Sequence, residues 1–511
     1  MTELTAMIDT SSCDREPIHI LGLTQEFGAV IATSLDWNIT HYSENIFELL
    51  GLANASVLGE PLGKLLPKAA QQQIQQAASR LGAEQEVEQL FGITLSTYKD
   101  NRFVVRLHRN GDHLIIDIEP DLEGLPDAGS SLIKLQSNIN RLRLEESITD
   151  RAQSTAELVK ALTGFDRVMI YKFIENDDGQ VIAEALEPDM EPYLGLRYPA
   201  SDIPKQAREL YKRSPIRVIA DVSDKGCAIL PAKGPDGKPL DLSLSMIRSV
   251  SPVHLVYLRN MGVAASMSVS LLVQDRLWGL IACHHNTPFL PDPRLRAAAE
   301  VVGHFFALSL DELETKEDQE ARDKAQTVHD KVVVHFSHDA NIIDGFNTLV
   351  SATRQALDFD GAMVWINDRF DATGTALTEE EFKALLPVLN RTANGRQFIT
   401  DHLVSIHPEA TSYADRVSGI IVIPISRQPR DYLVFCRKEQ VIDLLWAGDP
   451  TKQVVQDPKH AKLMPRNSFA AWQETRRMHS TPWSKGDERL ATGLRITLLE
   501  IALRMSDATL V

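Results

Sequence analysis

The chain has 511 residues, 43% of them hydrophobic and 24% charged, with 70 acidic side chains against 53 basic ones and a net charge of −17. That length exceeds one ordinary core and sets an expectation of about three domains, while the acidic balance opposes loose binding to nucleic acid or anionic lipid. No apolar run reaches the roughly 18 residues of a membrane span, and Met1-Thr2-Glu3-Leu4 lacks a secretory leader pattern, so a cytoplasmic protein is expected. Four cysteines, Cys13, Cys227, Cys283 and Cys436, stand far apart without CxxC spacing, which fits neither a disulfide scaffold nor a zinc ribbon.

The first element is a polar leader, Ser11-Ser12-Cys13-Asp14-Arg15-Glu16-Pro17, in which a thiol is reachable beside an arginine. Two short strands follow, Ala29 to Thr33 and Ile39 to Tyr42, then a helix from Ser43 through Leu50. Phe103 to His108 and Leu114 to Ile118 flank Asn110-Gly111, the strongest short hairpin signal. This first unit reads as a small α/β domain ending near residues 124–130. Leu132, Leu135, Ile139 and Leu142 then lie on one helical stripe.

A second domain begins with the strand around Gly164 to Tyr171. Inside it, Pro199-Ala200-Ser201-Asp202-Ile203-Pro204 is a stiff loop, because two prolines restrict the backbone around one carboxylate. Taken alone, it is a turn and a capping acid before the helical run Lys205 to Tyr211. Residues 222–242 are long and poor in pattern, and a loop of that length inside a compact domain usually has a purpose. The domain closes with Ser266 to Val273 and Leu277 to His284. A three-residue loop at 274–276 sets Ser266 opposite His284 and Ser268 opposite Ala282; a two-residue loop breaks that alignment. Strand alternation also sends His284 away from Cys283 and His285, so these three do not share a metal ion.

From about Leu295 to Ser337 nothing interrupts a helix except Gly303, giving a rod of roughly 60 Å at about 1.5 Å per residue. The third domain, about 340–511, includes strands Gly419 to Ile425 and Asp431 to Cys436. A long insertion lies between Arg437 and Ser484. The last helix starts after Ser484, with Asp487 at the third position. Its stripe of Leu490, Leu494, Leu498, Ile501 and Met505 suits either docking on its own domain or a dimer seam.

Four motifs occur in order: Pro199 to Pro204; Arg248-Ser249-Val250-Ser251-Pro252-Val253-His254 running on to Gly262; Leu277-Trp278-Gly279-Leu280-Ile281-Ala282-Cys283-His284-His285; and Pro465-Arg466-Asn467-Ser468-Phe469. Together they resemble the photosensory core of a bacterial phytochrome over nearly the whole chain. The resemblance implies an α+β multidomain fold with three tandem PAS/GAF-like domains, antiparallel sheets flanked by helices, a long helical spine and a tongue insertion in the third domain. Its boundaries are an N-terminal extension at 1–17, PAS at 18–126, GAF at 130–312 with a knot-forming insertion about 222–245, and PHY at 313–511 with the tongue about 437–483.

It further implies a red/far-red photoreceptor that binds a linear tetrapyrrole in the GAF pocket and isomerises it. Arg217, Arg248, Tyr211, Ser266 and Ser268 match the positions that hold the two propionates, a task suited to guanidinium forks and hydroxyls. Asp202, with Ile203 and Pro204 beside it, matches the segment over the pyrrole nitrogens, aided by His254. His284 matches the D-ring partner, and Tyr171, Tyr198 and Tyr257 match the aromatic cage. Val253 stands where many relatives carry the attaching cysteine, so Cys13 matches the alternative attachment point, which goes with biliverdin IXα held by a thioether. In the tongue, Arg466 is expected to pair with Asp202 in one photostate, Ser468 lies beside it, and Trp446 and Trp472 exchange places as the tongue refolds.

A homodimer and an output kinase or cyclase domain outside this chain are the implied partners, and the chain itself is expected to be a sensor rather than an enzyme. Two departures fall in the PAS region: Gln25-Glu26-Phe27-Gly28 replaces Gln-Pro-His-Gly, and Leu21 replaces a usual proline. The competing expectation is a pigment-free GAF module sensing a small ligand. A cysteine enzyme built on Cys13 lacks any oxyanion-hole signature.

Overall fold

The computed structural model describes residues 16–82, 86–95, 101–121, 136–137, 139–234, 237–336, 341–393, 396–426, 431–450, 455–456, 463–464 and 469–508. Cys13, Arg466, Ser468, Leu132 and Leu135 lie outside the described residues. The chain divides into two compact units. One comprises residues 1–311 and 445–472, the other 312–444 and 473–511.

The first unit holds two large sheets and a two-stranded ribbon of Val455–Gln456 with Leu463–Met464. Strands β2 (Ala29–Ser34), β3 (Ile39–Ser43), β5 (Arg102–Asn110) and β6 (His113–Pro120) form where β-branched and apolar residues alternate, and Gly111, at φ +55°, turns the two-residue β5–β6 hairpin. The helix expected from Ser43 starts only at Ile46, because residues 39–43 continue as strand. With β4 (Val87–Thr94) and β1 (Leu23–Thr24), the sheet order is β1-β11-β3-β2-β6-β5-β4. Its member β11 is Cys227–Leu230, from the segment that shows no pattern in the sequence. Backbone pairing of β11 with β1 and β3 stitches that segment into the first sheet, so the PAS-like and GAF-like regions fall in one compact unit.

The second sheet begins β10 (Ile216–Ile219), β12 (Ala265–Val273), β13 (Arg276–His285), β7 (Arg167–Phe173), β8 (Gly179–Leu186), β9 (Arg197–Tyr198) and continues into the later insertion through β19 (Ile442–Ala447). One face packs on helix Ile148–Thr163 and on the start of the long helix Pro293–His335 through Val159, Ile170, Val269, Ile281, Val302 and Phe306. The other face is left for a cavity. Gly303 sits in the long helix because a Cβ there would come 2.8 Å from Val269.

Ser266 pairs with His284 and Ser268 with Ala282, but not through the expected loop. The turn has two residues, Gln274 and Asp275, both at positive φ as a type I′ turn requires. One residue too many for that turn, Trp278, is taken up by a bulge where the register shifts between Leu271 and Leu272. The bulge restores the pairing that a two-residue loop alone breaks.

In the second unit, five strands run β15 (Arg369–Gly374), β14 (Gly361–Ile366), β18 (Tyr432–Arg437), β17 (Gly419–Pro424), β16 (Phe398–Thr400). Helix Lys485–Ala508 starts with a reciprocal cap, Ser484 Oγ accepting from the Asp487 N–H and the Ser484 N–H donating to Asp487 Oδ2. Leu490, Leu494, Leu498 and Ile501 are buried in the core of this unit with Val328 and Val332. Of the two alternatives for that stripe, docking on its own domain is the one seen.

Candidate functional site

A cavity of about 460 Å³ opens on the free face of the second sheet, within the range of small-molecule sites. All thirteen residues expected at a pigment site line it. Strands β12 and β13 present Ser266, Ser268 and His284 on one wall, and β10 sets Arg217 directly beside Ser268. Tyr171 of β7 and Tyr198 of β9 meet at 5.8 Å between ring centres. Gly179 makes room for Tyr171, since a Cβ there would fall 1.8 Å from its ring.

Pro199 and Pro204 shape the loop as expected. A short 3₁₀ turn, Ala200–Asp202, ends before Pro204, and the helix Lys205–Arg213 then carries Tyr211 to the cavity. Asp202 Oδ2 accepts from the Tyr257 hydroxyl at 2.9 Å. Tyr257 lies one turn after His254 on the helix Pro252–Asn260 and stacks on it at 5.9 Å. Ser251 Oγ caps that helix by accepting from the Val253 N–H.

Electrostatics distinguish the two ends of the cavity. Arg217 donates to the carbonyls of Met246, Arg248 and Ser249, whereas Arg248 donates to the Ile18 carbonyl at 2.7 Å and keeps its Nε buried without a partner. Among the described residues, neither guanidinium pairs with a carboxylate. Burial lowers Arg248 to about 10 and pulls Arg217 well below its ordinary value, with Arg248 adding to the latter. Two cations left uncompensated in a low-dielectric wall form a site for an anion. At the other end, burial drives His284 down to about 3, with Arg167 and His254 contributing, and its Nδ1 has no partner. Burial and then Arg217 take His254 down to about 4. Both imidazoles are neutral near pH 7 and can each donate one N–H and accept at the other nitrogen.

Cys283 points into the core, where burial raises its thiol, and His285 stacks on Phe289 at 4.5 Å, so the Cys-His-His run does not converge. Among the described residues no group of three or more metal-ligating side chains occurs. Glu16 and Ile18 line the cavity, and Glu16 accepts from Ser251 Oγ at 2.7 Å. The leader thus arrives at the wall that carries Val253. From the 437–483 insertion, Pro450 lines the cavity and Phe469 packs edge-on against Tyr257 at 5.0 Å. Trp446 of β19 (Ile442–Ala447) is buried and pairs with Arg197, while Trp472 is half-buried.

Sequence reading missed Glu16, Ile18, Pro450 and the buried Gln25. Nothing in their local composition marks them, because their roles come from chain crossings hundreds of residues apart.

Residues 13–121 match the family described as PAS fold, 147–310 the GAF domain and 325–507 the Phytochrome region. The chain is 35% identical over 512 residues to cyanobacterial phytochrome B of Nostoc, covering 98% of this chain and 67% of that one. It is 32% identical to a bacteriophytochrome of Xanthomonas campestris, covering 99% and 80%. Among solved structures, a bacteriophytochrome from R. palustris superposes with a TM-score of 0.85 at 30% identity, covering 96% of this chain and 99% of that one. The Stigmatella aurantiaca phytochrome photosensory core module gives 0.84 at 32%, covering 97% and 99%. The chain spans about two thirds of the length of its Nostoc, Synechocystis and Pseudomonas aeruginosa relatives. With the three family domains matched in the family's order, the chain belongs to the phytochromes and is a PAS-GAF-PHY photosensory core, a red/far-red photoreceptor module.

Proposed function

We propose that the cavity binds biliverdin IXα, tethered through a thioether to Cys13. The observation that carries this reading is the pair Arg217, half-buried, and Arg248, buried, both without carboxylate partners among the described residues at one end of an aromatic cavity. A flat apolar ligand bearing two carboxylates meets both halves of that surface. Arg248 offers its open guanidinium edge to one propionate. Ser266 and Ser268 offer hydroxyls on the neighbouring strand to the other. Arg217, committed to three backbone carbonyls, supplies positive field more than a free fork.

The bound pigment supplies red-light absorption and isomerisation at its C–D ring bridge. Around it, Asp202 and Tyr257 hold a hydrogen bond at the nitrogen side, neutral His254 stacks beside them, and neutral His284 faces the D-ring end. Tyr171 and Tyr198 enclose the rotating ring. Val253 cannot form a thioether. Glu16 lines the cavity three residues after Cys13, and three residues span at most about 11 Å, so the leader thiol is within reach. The 437–483 insertion acts as the tongue, with Arg466 pairing with Asp202 in one photostate, Ser468 a further tongue contact, and Trp446 and Trp472 exchanging places as it refolds. The change passes along the spine helix of a homodimer to an output kinase or cyclase domain, in the cytoplasm.

The test is to add biliverdin to apoprotein and record spectra under red and far-red light. A red-absorbing photochromic adduct, fluorescent with zinc in a denaturing gel, is expected. Cys13→Ser abolishes the covalent band and leaves reversible colour, whereas Asp202→Ala keeps colour but disturbs photoconversion. A colourless mixture sinks the reading.

A further inference from the structure

We propose that Gln25 is a positioning residue for pigment binding: its buried side-chain amide sets the relative placement of Arg217 and Arg248. The proposal rests on the bilin reading above. Gln25 is 2% exposed and does not line the cavity. Its Nε2 donates to the Val218 carbonyl at 2.9 Å and to the Arg248 carbonyl at 3.3 Å, and its Oε1 accepts from the Ala220 N–H at 3.1 Å. Val218 follows Arg217 on β10. One amide therefore ties the strand of one arginine to the backbone of the other.

The surrounding bonds point the same way. The Gln25 N–H donates to the Ile247 carbonyl at 2.8 Å, and Thr24 pairs with Arg248 as an antiparallel bridge. Arg217 donates to the same Arg248 carbonyl that Gln25 reaches. Chain sections separated by about two hundred residues meet at this carbonyl, and Gln25 supplies the only side-chain amide in the junction among the described residues. Two like charges in one wall repel, and these bonds, together with the β10–β12 pairing and the bonds Arg217 itself makes, hold their spacing. Two carboxylates on a rigid ligand read that spacing directly.

Glutamine suits the task chemically. It offers a donor pair and an acceptor on one planar group without charge, so it bridges two carbonyls and one N–H beside two cations. Leucine fills similar volume but removes all three bonds, leaving the Arg248 carbonyl to Arg217 alone.

The test titrates biliverdin and its dimethyl ester, which lacks free carboxylates, into Cys13→Ser protein and into the same protein carrying Gln25→Leu or Gln25→Asn. The parent should prefer the free acid. Gln25→Leu should lose about tenfold in biliverdin affinity, the equivalent of one buried hydrogen bond, while ester affinity stays within about twofold. Gln25→Asn, one methylene short, should fall between and keeps the experiment readable if the leucine variant does not fold. Equal losses for acid and ester, or an unchanged ratio, overturn the positioning role. A parent that binds neither pigment defeats the bilin reading itself, and a parent that binds both equally defeats the carboxylate recognition on which Gln25 is argued to act.

Discussion

Two buried arginine sites in the first unit are built on opposite terms. Arg167 and Glu184, 3% and 1% exposed in their side chains, pair at 3.0 Å, and Glu184 also accepts from the N–H groups of Tyr193 and Leu194. Arg296 pairs in the same way with buried Glu119. Among the described residues, Arg217 and Arg248 have no such partner. A charge neutralised from within the chain serves the fold. A charge left open in a cavity wall costs stability in the apoprotein, and that cost is recovered when an anion arrives. A missing carboxylate alone does not mark a ligand site, since, among the described residues, buried Arg151 donates only to the carbonyls of Glu145, Ser309 and Arg143; what sets Arg217 and Arg248 apart is that they also line the cavity.

The largest effect that tests this contrast comes from unpairing the matched site. Arg167→Met leaves Glu184 buried without its cation and should cost about 3–5 kcal/mol in denaturant unfolding of the apoprotein. The double variant Arg167→Met, Glu184→Gln should recover most of it. Arg248→Met should do the reverse: apoprotein stability holds or rises, while biliverdin affinity falls about a hundredfold, as loss of a charged hydrogen bond implies. A large apoprotein loss for Arg248→Met breaks the comparison.

A smaller effect is read from pH. In the apoprotein His254 and His284 titrate near 4 and 3 against 6.5 when unfolded, so the unfolded chain binds more protons and stability falls as pH drops below about 6.5. Asp117 works the other way. Burial behind Ser245 and Met246, on the face that carries Arg106 and Glu119, raises it to about 6 from 3.8. The folded state then holds its proton longer, and that contribution weakens as pH rises from about 4 to 6. His254→Gln should flatten the acid loss measured by thermal melts at a series of pH values. Asp117→Asn should steepen it.

The set of thirteen cavity residues was legible from ordered motifs, and the Ser266–His284 wall from strand pairing. Its mechanism was not: alternation cannot reveal that Trp278 is the extra residue of a bulge. Strand β11 was hidden because four residues between glycine and proline carry no period of their own, and their partners, Thr24 and Tyr42, are remote in sequence. Gln25 is visible as the retained first residue of the Gln-Pro-His-Gly pattern, but its bonds to Val218, Ala220 and Arg248 are just as remote in sequence. Short pieces that gain structure only by crossing another part of the chain leave no local trace.

The smallest effect lies at the solvent rim, where neither burial nor charge dominates. Glu26 stands where relatives commonly carry proline, and its N–H donates to Asp224 Oδ2 at 2.8 Å in an exposed contact. Proline cannot donate, so Glu26→Pro loses a bond worth about 0.5–1.5 kcal/mol. It also restricts the unfolded chain, a gain of about 0.4–1 kcal/mol where the backbone accepts it. The two terms nearly cancel, and the departure from the family pattern should be close to neutral. Denaturant midpoints within the equivalent of about 1 kcal/mol and an unchanged pigment spectrum are expected. A spectral shift on Glu26→Pro would mean that the exposed rim, like Gln25 one residue earlier, reaches the arginine wall, and the line drawn here between buried and exposed contacts would have to move.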